Sequence, residues 1–334
     1  MSDTIELKSP LDMHLHLRDG DMLECVAPLS ARSFAGAIIM PNLLPPVTDG
    51  KMLAEYRERI SRAVGDEEFD LYMTLFFKES YDFDFLSSLG DSLSAVKLYP
   101  AGITTNSEGG VSGFDIDRLS PALEAMSELG IPLLVHGESD GFVMDREAEF
   151  IPIYEKLAEA FPKLMIVMEH ITTARSAEAL DRYENLYATI TLHHLLITLD
   201  DVAGGLLRPH LFCKPIAKRP EDREALLKLA LDAHPKVSFG SDSAPHPRDA
   251  KEAPGCAAGV FTAPLALPAL AELFDRHGKL ENLQAFVSTN AIRNYGVNPP
   301  RKSVTLVRES FQVPESYGSV VPMMAGGEIG WKLA

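Results

Sequence analysis

Six side chains able to take part in metal chemistry stand one by one at the ends of strand-like runs along this chain. His14 and His16 open the series in Asp12-Met13-His14-Leu15-His16. Lys97 follows in Ala95-Val96-Lys97-Leu98-Tyr99-Pro100, and His136 in Leu133-Leu134-Val135-His136-Gly137-Glu138. His170 closes Met165-Ile166-Val167-Met168-Glu169-His170, and Asp242 ends Val237-Ser238-Phe239-Gly240-Ser241-Asp242. Residues i and i+2 of a strand share a face, so both imidazoles of the first pair can reach one cation. Four neutral nitrogen donors suit zinc or a similar ion, and a carboxylate can hold a metal with one oxygen while taking a proton on the other. Lys97 is the odd member, because an ammonium cannot ligate. It becomes a ligand only if CO₂ adds to the neutral amine to give a carbamate, which burial beside cations favours. The set reads as a two-metal hydrolytic centre, and the chain as an enzyme.

Each residue has a plainer reading when taken alone. A single histidine more often fills a core or surface position, and a lysine at a strand end more often binds substrate or stays exposed. Asp242 after Gly240-Ser241 also fits a helix N-cap. Two histidines on one strand face weigh against the plain reading, and Asp12, two residues earlier, can orient an imidazole from behind.

Further polar groups gather near the same positions. Arg18 lies two residues beyond His16, and a guanidinium suits bidentate recognition of a substrate carboxylate; its alternative is a surface pair with Asp19 or Asp21. Asn42, in Met40-Pro41-Asn42, can donate to the same carboxylate or simply make a turn after proline. Ser243-Ala244-Pro245-His246 sets another imidazole beside Asp242. The segment 101–110, Ala-Gly-Ile-Thr-Thr-Asn-Ser-Glu-Gly-Gly, directly follows the Lys97 run. Its glycine and hydroxyl content fits a mobile lid, with Thr104 and Thr105 offering hydroxyls to ligand. Gly109, Gly110 and Gly113 lack the strand-turn-helix context of a phosphate loop. His193-His194 reads as a strand pair whose members face opposite ways, hence as structural or supporting.

The elements that must position these groups follow from the apolar pattern. Strands are expected near 11–16, 37–40, 71–76, 95–98, 133–136, 165–169, 187–192 and 237–239, and helices at 52–64, 116–129, 153–160, 174–183 and 221–233. Buried runs alternating with helices argue for a parallel sheet covered by helices. Eight strands are what a closed (β/α)₈ TIM barrel needs, and such barrels keep their chemistry at the C-terminal ends of the strands. An open doubly wound sheet is the competing architecture, but it gathers function at one crevice, whereas here polar residues close almost every run. The expectation is a single barrel domain over 1–334, with about 281–334 as a C-terminal appendage on the same domain.

Composition bounds the partners. The 334 residues are 46% apolar and 24% charged, ordinary for a globular chain with a core. A formal net charge of −17 argues against a nucleic-acid partner. It leaves room for an anionic small molecule, since local cations outweigh a distant diffuse field. Three cysteines without CxxC spacing read as reduced thiols in a cytoplasmic protein. No secretory h-region is evident near the start, and no apolar run approaches the roughly 18 residues of a membrane span.

The segments Asp12–Arg18, Met40-Pro41-Asn42, Val96-Lys97-Leu98-Tyr99-Pro100 and Thr104-Thr105-Asn106 together resemble the dihydroorotases of single-domain bacterial type, within the amidohydrolase superfamily. So do Leu134–Glu138, Glu169–Thr173, Arg208–Cys213 and Ser241–His246, in order and spacing to about Pro268. The resemblance implies reversible cyclisation of N-carbamoyl-L-aspartate to L-dihydroorotate. It implies two Zn²⁺ per subunit: His14, His16 and Asp242 on one, His136 and His170 on the other, and carbamylated Lys97 between them. A hydroxide bridging the metals would attack the ring amide carbonyl, with Asp242 as base and then acid. Arg18, Asn42 and His246 match positions that bind the substrate carboxylate, and Thr104 and Thr105 match the closing loop. Main-chain groups near Lys214 and Ala258 match contacts to the pyrimidine ring. Lys214 stands where relatives are expected to carry an apolar residue, which leaves only main-chain contacts intact there. A homodimer is implied by the resemblance alone. The rival readings are a hydantoinase-like hydrolase sharing the metals, and a non-catalytic barrel, which would lack the ligands present here.

Overall fold

The structure is a computed structural model and describes residues 3–334. A short edge strand, β1 (Thr4–Lys8), precedes eight parallel strands paired in sequence order: β2 (Leu11–Leu15), β3 (Gly36–Ile39), β4 (Asp70–Phe76), β5 (Ala95–Leu98), β6 (Leu133–Val135), β7 (Ile166–Met168), β8 (Leu186–Ile190) and β9 (Val237–Phe239). The last strand meets the first at its C-terminal end. Leu15 bridges Ser243 in parallel, the His16 amide donates to the Ser243 carbonyl at 3.3 Å, and the Asp242 amide donates to the His14 carbonyl at 2.8 Å. Helices cover the outside, so this is a (β/α)₈ TIM barrel, and all eight expected strands are in it.

Period-two alternation builds the inside of the barrel. Leu11, Met13, Ile38, Ala95, Leu134 and Val167 form one apolar cluster, while their neighbours Leu15, Ile39, Val96, Leu98, Val135 and Met168 join the core shared with the helices. The residue two positions beyond an inward one must also face inward. That rule carries Ala95 to Lys97, Leu134 to His136 and Val167 to Glu169. In β2 the register shifts between Asp12 and Leu15, and this irregularity lets His14 reach the mouth although Met13 faces the barrel interior.

Several boundaries differ from the sequence expectation. The strand expected over 187–192 is Leu186–Ile190; Thr191 then caps a helix, Leu192–Leu196, by accepting from the His194 amide. His193 and His194 are therefore helical, both buried, and do not alternate across a sheet. The helix expected from 153 begins at Arg146. Two covering helices, Gly20–Ser33 and Ala266–Arg276, were not anticipated. The second is buried at eight of eleven positions.

After the last barrel strand the chain returns to its beginning. Strand β10 (Ser303–Val307) pairs antiparallel with β1, and β13 (Lys332–Leu333) pairs with β10; β11 (Phe311–Gln312) and β12 (Glu328–Ile329) form a separate hairpin. Val304, Leu306, Ile329 and Trp331 lie in the same core cluster as the barrel helices. From that continuity we infer that 281–334 is an appendage on the barrel's own domain.

Candidate functional site

The strand ends converge as their alternation requires. Nε2 of His14 and Nε2 of His16 lie 3.3 Å apart, and the Asp242 Oδ1 lies 3.5 Å from the first and 3.1 Å from the second. Nδ1 of His136 lies 3.1 Å from Nε2 of His170. The His14 and His170 rings are 5.0 Å apart, centre to centre, which joins the two groups. Lys97 is fully buried, and its Nζ finds no hydrogen-bond partner; it lies 5.2 Å from the centre of the Tyr99 ring.

The outer groups decide which ring nitrogens are free. Glu169 Oε2 lies 2.6 Å from Nδ1 of His14 and also accepts from Thr189 Oγ1 at 2.5 Å. Glu138 Oε2 lies 2.8 Å from Nε2 of His136. A proton directed at each carboxylate leaves Nε2 of His14 and Nδ1 of His136 as lone-pair donors facing the other ligands. Asp12 accepts the amides of His14 (3.2 Å) and Ser241 (2.8 Å) and the Ser241 hydroxyl (2.5 Å). It therefore braces the backbone of β2 against the end of β9; the imidazole-orienting role expected of it belongs to Glu169. Sequence reading missed Glu169, although its signal was present as the inward neighbour of Val167.

Two of the ligand candidates depend on backbone strain. His170 has φ 41° and Asp242 has φ 42°, the left-handed region that non-glycine residues avoid at a cost of about 1–3 kcal/mol. His170 follows the inward Glu169, and only this turn brings both into the mouth. The strained peptides are held by hydrogen bonds: the His170 amide donates to Thr189 Oγ1 at 2.7 Å, and the Asp242 amide donates to His14. Gly240 permits the approach, since a Cβ there would lie 2.9 Å from that of His14 and 3.0 Å from that of Thr189.

Burial sets the protonation of the cluster. It lowers His14, and lowers His16 and His170 well below the ordinary imidazole range, so these rings are neutral donors. Burial brings Lys97 down to about 8. Burial raises the Asp242 carboxyl, against the pull of His14. For Glu169 burial acts upward, yet His14 and Lys97 hold the carboxyl below its usual value, as an anion.

His14, His16, His136, His170 and Asp242 line one cavity together with Arg18, Asn42, Tyr99, Thr104, Thr105, Lys214, Ala244, Ala258 and Gly259. Arg18 donates through Nε to the Pro245 carbonyl at 3.2 Å, and its Nη2 lies 3.1 Å from Nε2 of His246. That nitrogen also lies 3.0 Å from the Ala258 carbonyl, and a single tautomer serves only one of the two contacts. Burial, then Arg18, lowers His246 to about 3, which keeps it neutral. Segment 101–110 is tied over the cavity: Asn42 Nδ2 donates to the Thr105 carbonyl at 3.0 Å, Asn106 Nδ2 to the Asn42 carbonyl at 3.0 Å, and Lys214 Nζ to the Ile103 carbonyl at 2.8 Å. The Lys214 side chain thus has a role that main-chain matching does not provide.

The donor set fits a metal ion. Bonds of about 2.0–2.1 Å in tetrahedral array place neighbouring ligand atoms about 3.3 Å apart, near the spacing of His14, His16 and Asp242. Facing lone pairs are costly without a cation to satisfy them, and the buried Lys97 Nζ beside them is left without a hydrogen-bond partner.

A barrel with such a mouth defines a hydrolase class, and a family model described as Amidohydrolase matches residues 91–297, spanning Lys97 to Asp242. A dihydroorotase of Helicobacter hepaticus is 44% identical over 339 residues, covering 100% of this chain and 98% of its own. The crystal structure of a Campylobacter jejuni dihydroorotase has 59% identity and a TM-score of 0.96, covering 100% of this chain and 98% of that one. A Saccharomyces cerevisiae dihydroorotase, crystallised with 5-fluoroorotic acid, has 34% identity and a TM-score of 0.94, covering 100% and 99%. The chain belongs to the dihydroorotase family.

Proposed function

We propose that this chain catalyses the reversible, metal-dependent cyclisation of N-carbamoyl-L-aspartate to L-dihydroorotate. The observation that carries the reading is one cavity holding both the convergent His14, His16 and Asp242 donors and the Arg18 guanidinium. His14, His16 and Asp242 would hold one zinc ion and His136 and His170 the second, with Lys97, as its carbamate, between them. Two such ions supply carbonyl polarisation and a water acidic enough to be a nucleophile at neutral pH.

The chain's own residues do the rest. With Lys97 at about 8, roughly a tenth of the amine is neutral at pH 7, which is the form that takes up CO₂. Asp242 sits among the donors with a raised pKa, suited to accepting the nucleophile's proton and passing it to the amide nitrogen as the ring opens. Closure reverses that transfer. Arg18 receives the carboxylate that both substrate and product carry, and neutral His246 and Asn42 complete its polar surround. Thr104 and Thr105, on the segment held by Asn42 and Lys214, close the cavity against water. Main-chain groups at Lys214 and Ala258 face the ring.

No helix among the described residues is long and apolar enough to cross a membrane, and Cys25, Cys213 and Cys256 are free thiols, in keeping with the cytoplasmic setting we assign. A homodimer belongs to the same reading and is checked by sedimentation equilibrium.

The experiment is the rate of L-dihydroorotate ring opening by zinc-loaded protein, before and after chelation, with hydantoin alongside. Chelator-sensitive turnover of dihydroorotate with little of hydantoin is the expected result. Preference for hydantoin overturns the roles of Arg18, Asn42 and His246. No turnover of either with metal bound leaves the barrel non-catalytic.

A further inference from the structure

His193 is completely buried, and neither of its ring nitrogens has a hydrogen-bond partner. An imidazole has at least one N–H to satisfy, and leaving it unpaired in a dry interior costs on the order of 1–3 kcal/mol. The ring packs against His194, with centres 4.4 Å apart. Facing them is the Cys213 thiol, buried and unpaired with any other cysteine. Its Sγ lies 3.5 Å from Nε2 of His194, and the Pro215 carbonyl oxygen lies 3.0 Å from that nitrogen and 3.2 Å from the sulfur. One ligand atom from each of His193, His194 and Cys213 falls within 4.8 Å of the other two.

These separations have a chemical meaning. Bonds of about 2.3 Å to sulfur and 2.0–2.1 Å to nitrogen in tetrahedral array place the two ligand atoms about 3.6 Å apart. We propose that His193, His194 and Cys213 form a separate site for a soft divalent cation such as zinc, with the Pro215 carbonyl at hand as a fourth oxygen donor. Cation entry displaces the thiol proton to solvent and leaves a thiolate-metal bond, so no oxidant or further reactant is needed. Burial, then the Asp242 carboxylate, pushes the Cys213 thiol up to about 12, and the Lys251 ammonium, whose three hydrogen bonds go to the carbonyls of Phe212, Ala257 and Gly259, acts against that rise. The cation would join the helix that follows β8 to the segment 213–215. That segment carries Lys214, which lines the catalytic cavity and holds its lid. The site is thus a structural staple for one wall of the cavity, and it does not depend on the reading of the mouth.

Cobalt distinguishes the two sites, because the mouth offers only nitrogen and oxygen donors. Metal-free protein titrated with Co(II) is expected to develop thiolate-to-cobalt charge-transfer absorption and to bind one equivalent more than Cys213→Ser. The band should vanish in Cys213→Ser, weaken at equal cobalt in His193→Gln, and persist in Cys25→Ser and Cys256→Ser. Circular dichroism of each metal-free variant establishes that it folds. Wild-type protein carrying cobalt at the mouth, seen by its d–d absorption, but lacking the thiolate band overturns the proposal. So does a band that survives in Cys213→Ser. If that variant does not fold, the wild-type spectrum and His193→Gln decide. A thiolate band without mouth binding would instead count against the mouth reading alone.

Discussion

Glu169 holds the Nδ1 proton of His14 at 2.6 Å, and that one contact turns His14 Nε2 toward His16 and Asp242 as a lone pair. The two residues come from the first and sixth of the eight barrel strands, β2 and the end of β7, so the contact exists only once the sheet has curled into a barrel. Glu169 is kept anionic by His14 and Lys97 against the upward push of burial, and Thr189 supports it from behind.

Replacing Glu169 with glutamine keeps the shape and an acceptor oxygen but removes the charge. Loss of a carboxylate behind a ligating imidazole weakens metal binding by about 10–100-fold. Glu169→Gln should therefore release zinc to a competing chelator at correspondingly lower chelator concentration, with the fold retained by circular dichroism. Unchanged affinity would mean that His14 keeps its tautomer without Glu169.

Arg18→Lys preserves the positive charge and loses the planar fork. The bidentate hold on a carboxylate is worth about 1.5–3 kcal/mol per charged hydrogen bond lost, so kcat/KM for L-dihydroorotate should fall about 10–100-fold. Hydantoin carries no carboxylate, and its slow turnover should change by less than about threefold. Parallel kinetics on both substrates check the claim; equal losses on the two would place Arg18 in the fold of the mouth instead of at the substrate.

Much of this site was legible because strand ends obey a strict period. Lys97 and His136 each sit two residues beyond an inward apolar residue, so a reader of the sequence places them correctly without coordinates. His170 and Asp242 depend on left-handed backbone turns, which no period announces. Their hydrogen bonds to Thr189 and to the His14 carbonyl are tertiary and appear only in the closed barrel. Glu169 was masked by its neighbour, since a histidine beside it drew the ligand assignment. His193 and His194 were misread for a different reason: a five-residue helix beginning with Leu192 is too short to show a helical period, and the apolar run before it reads as strand throughout. The antiparallel pairing of β1 with β10 joins segments almost 300 positions apart, and in β1 only Leu7 is buried, which gave it no apolar stripe to read.

Lys214→Met should loosen the lid without emptying the cavity of its donors. The Lys214 bond to the Ile103 carbonyl is one of four side-chain ties on segment 101–110, with those of Asn42, Asn106 and Lys78, and a net value of about 0.5–1.5 kcal/mol corresponds to a few-fold to about tenfold in the opening equilibrium. Amide exchange across 101–110 should accelerate by that factor while exchange in β5 and β6 stays unchanged. If the segment exchanges at the wild-type rate, the ties from Asn42, Asn106 and Lys78 suffice to keep it closed.

Asp275 and Arg308 tie the C-terminal sheet to the barrel wall, and their link carries a pH signature. Arg308 follows β10, and its Nη2 donates at 3.0 Å to Asp275 Oδ1, near the end of the helix Ala266–Arg276; a second bond joins Nη1 to Oδ2. The hydrogen bond from Arg308 holds the Asp275 carboxyl below its usual value, against the upward push of burial. A carboxyl depressed in the folded state stabilises it fully above the unfolded value of about 3.9, and the contribution disappears as pH falls through the folded value. Wild-type protein should therefore melt above Asp275→Asn at pH 7, and the two melting temperatures should converge as the pH is lowered below about 4. Because the pair is only part-buried, the difference at pH 7 should also shrink in high salt. A gap between the two proteins that stays constant from pH 7 down to about 3 would assign the effect of Asp275 to packing against Trp331, whose indole Nε1 lies 3.4 Å from Oδ2, and not to its charge.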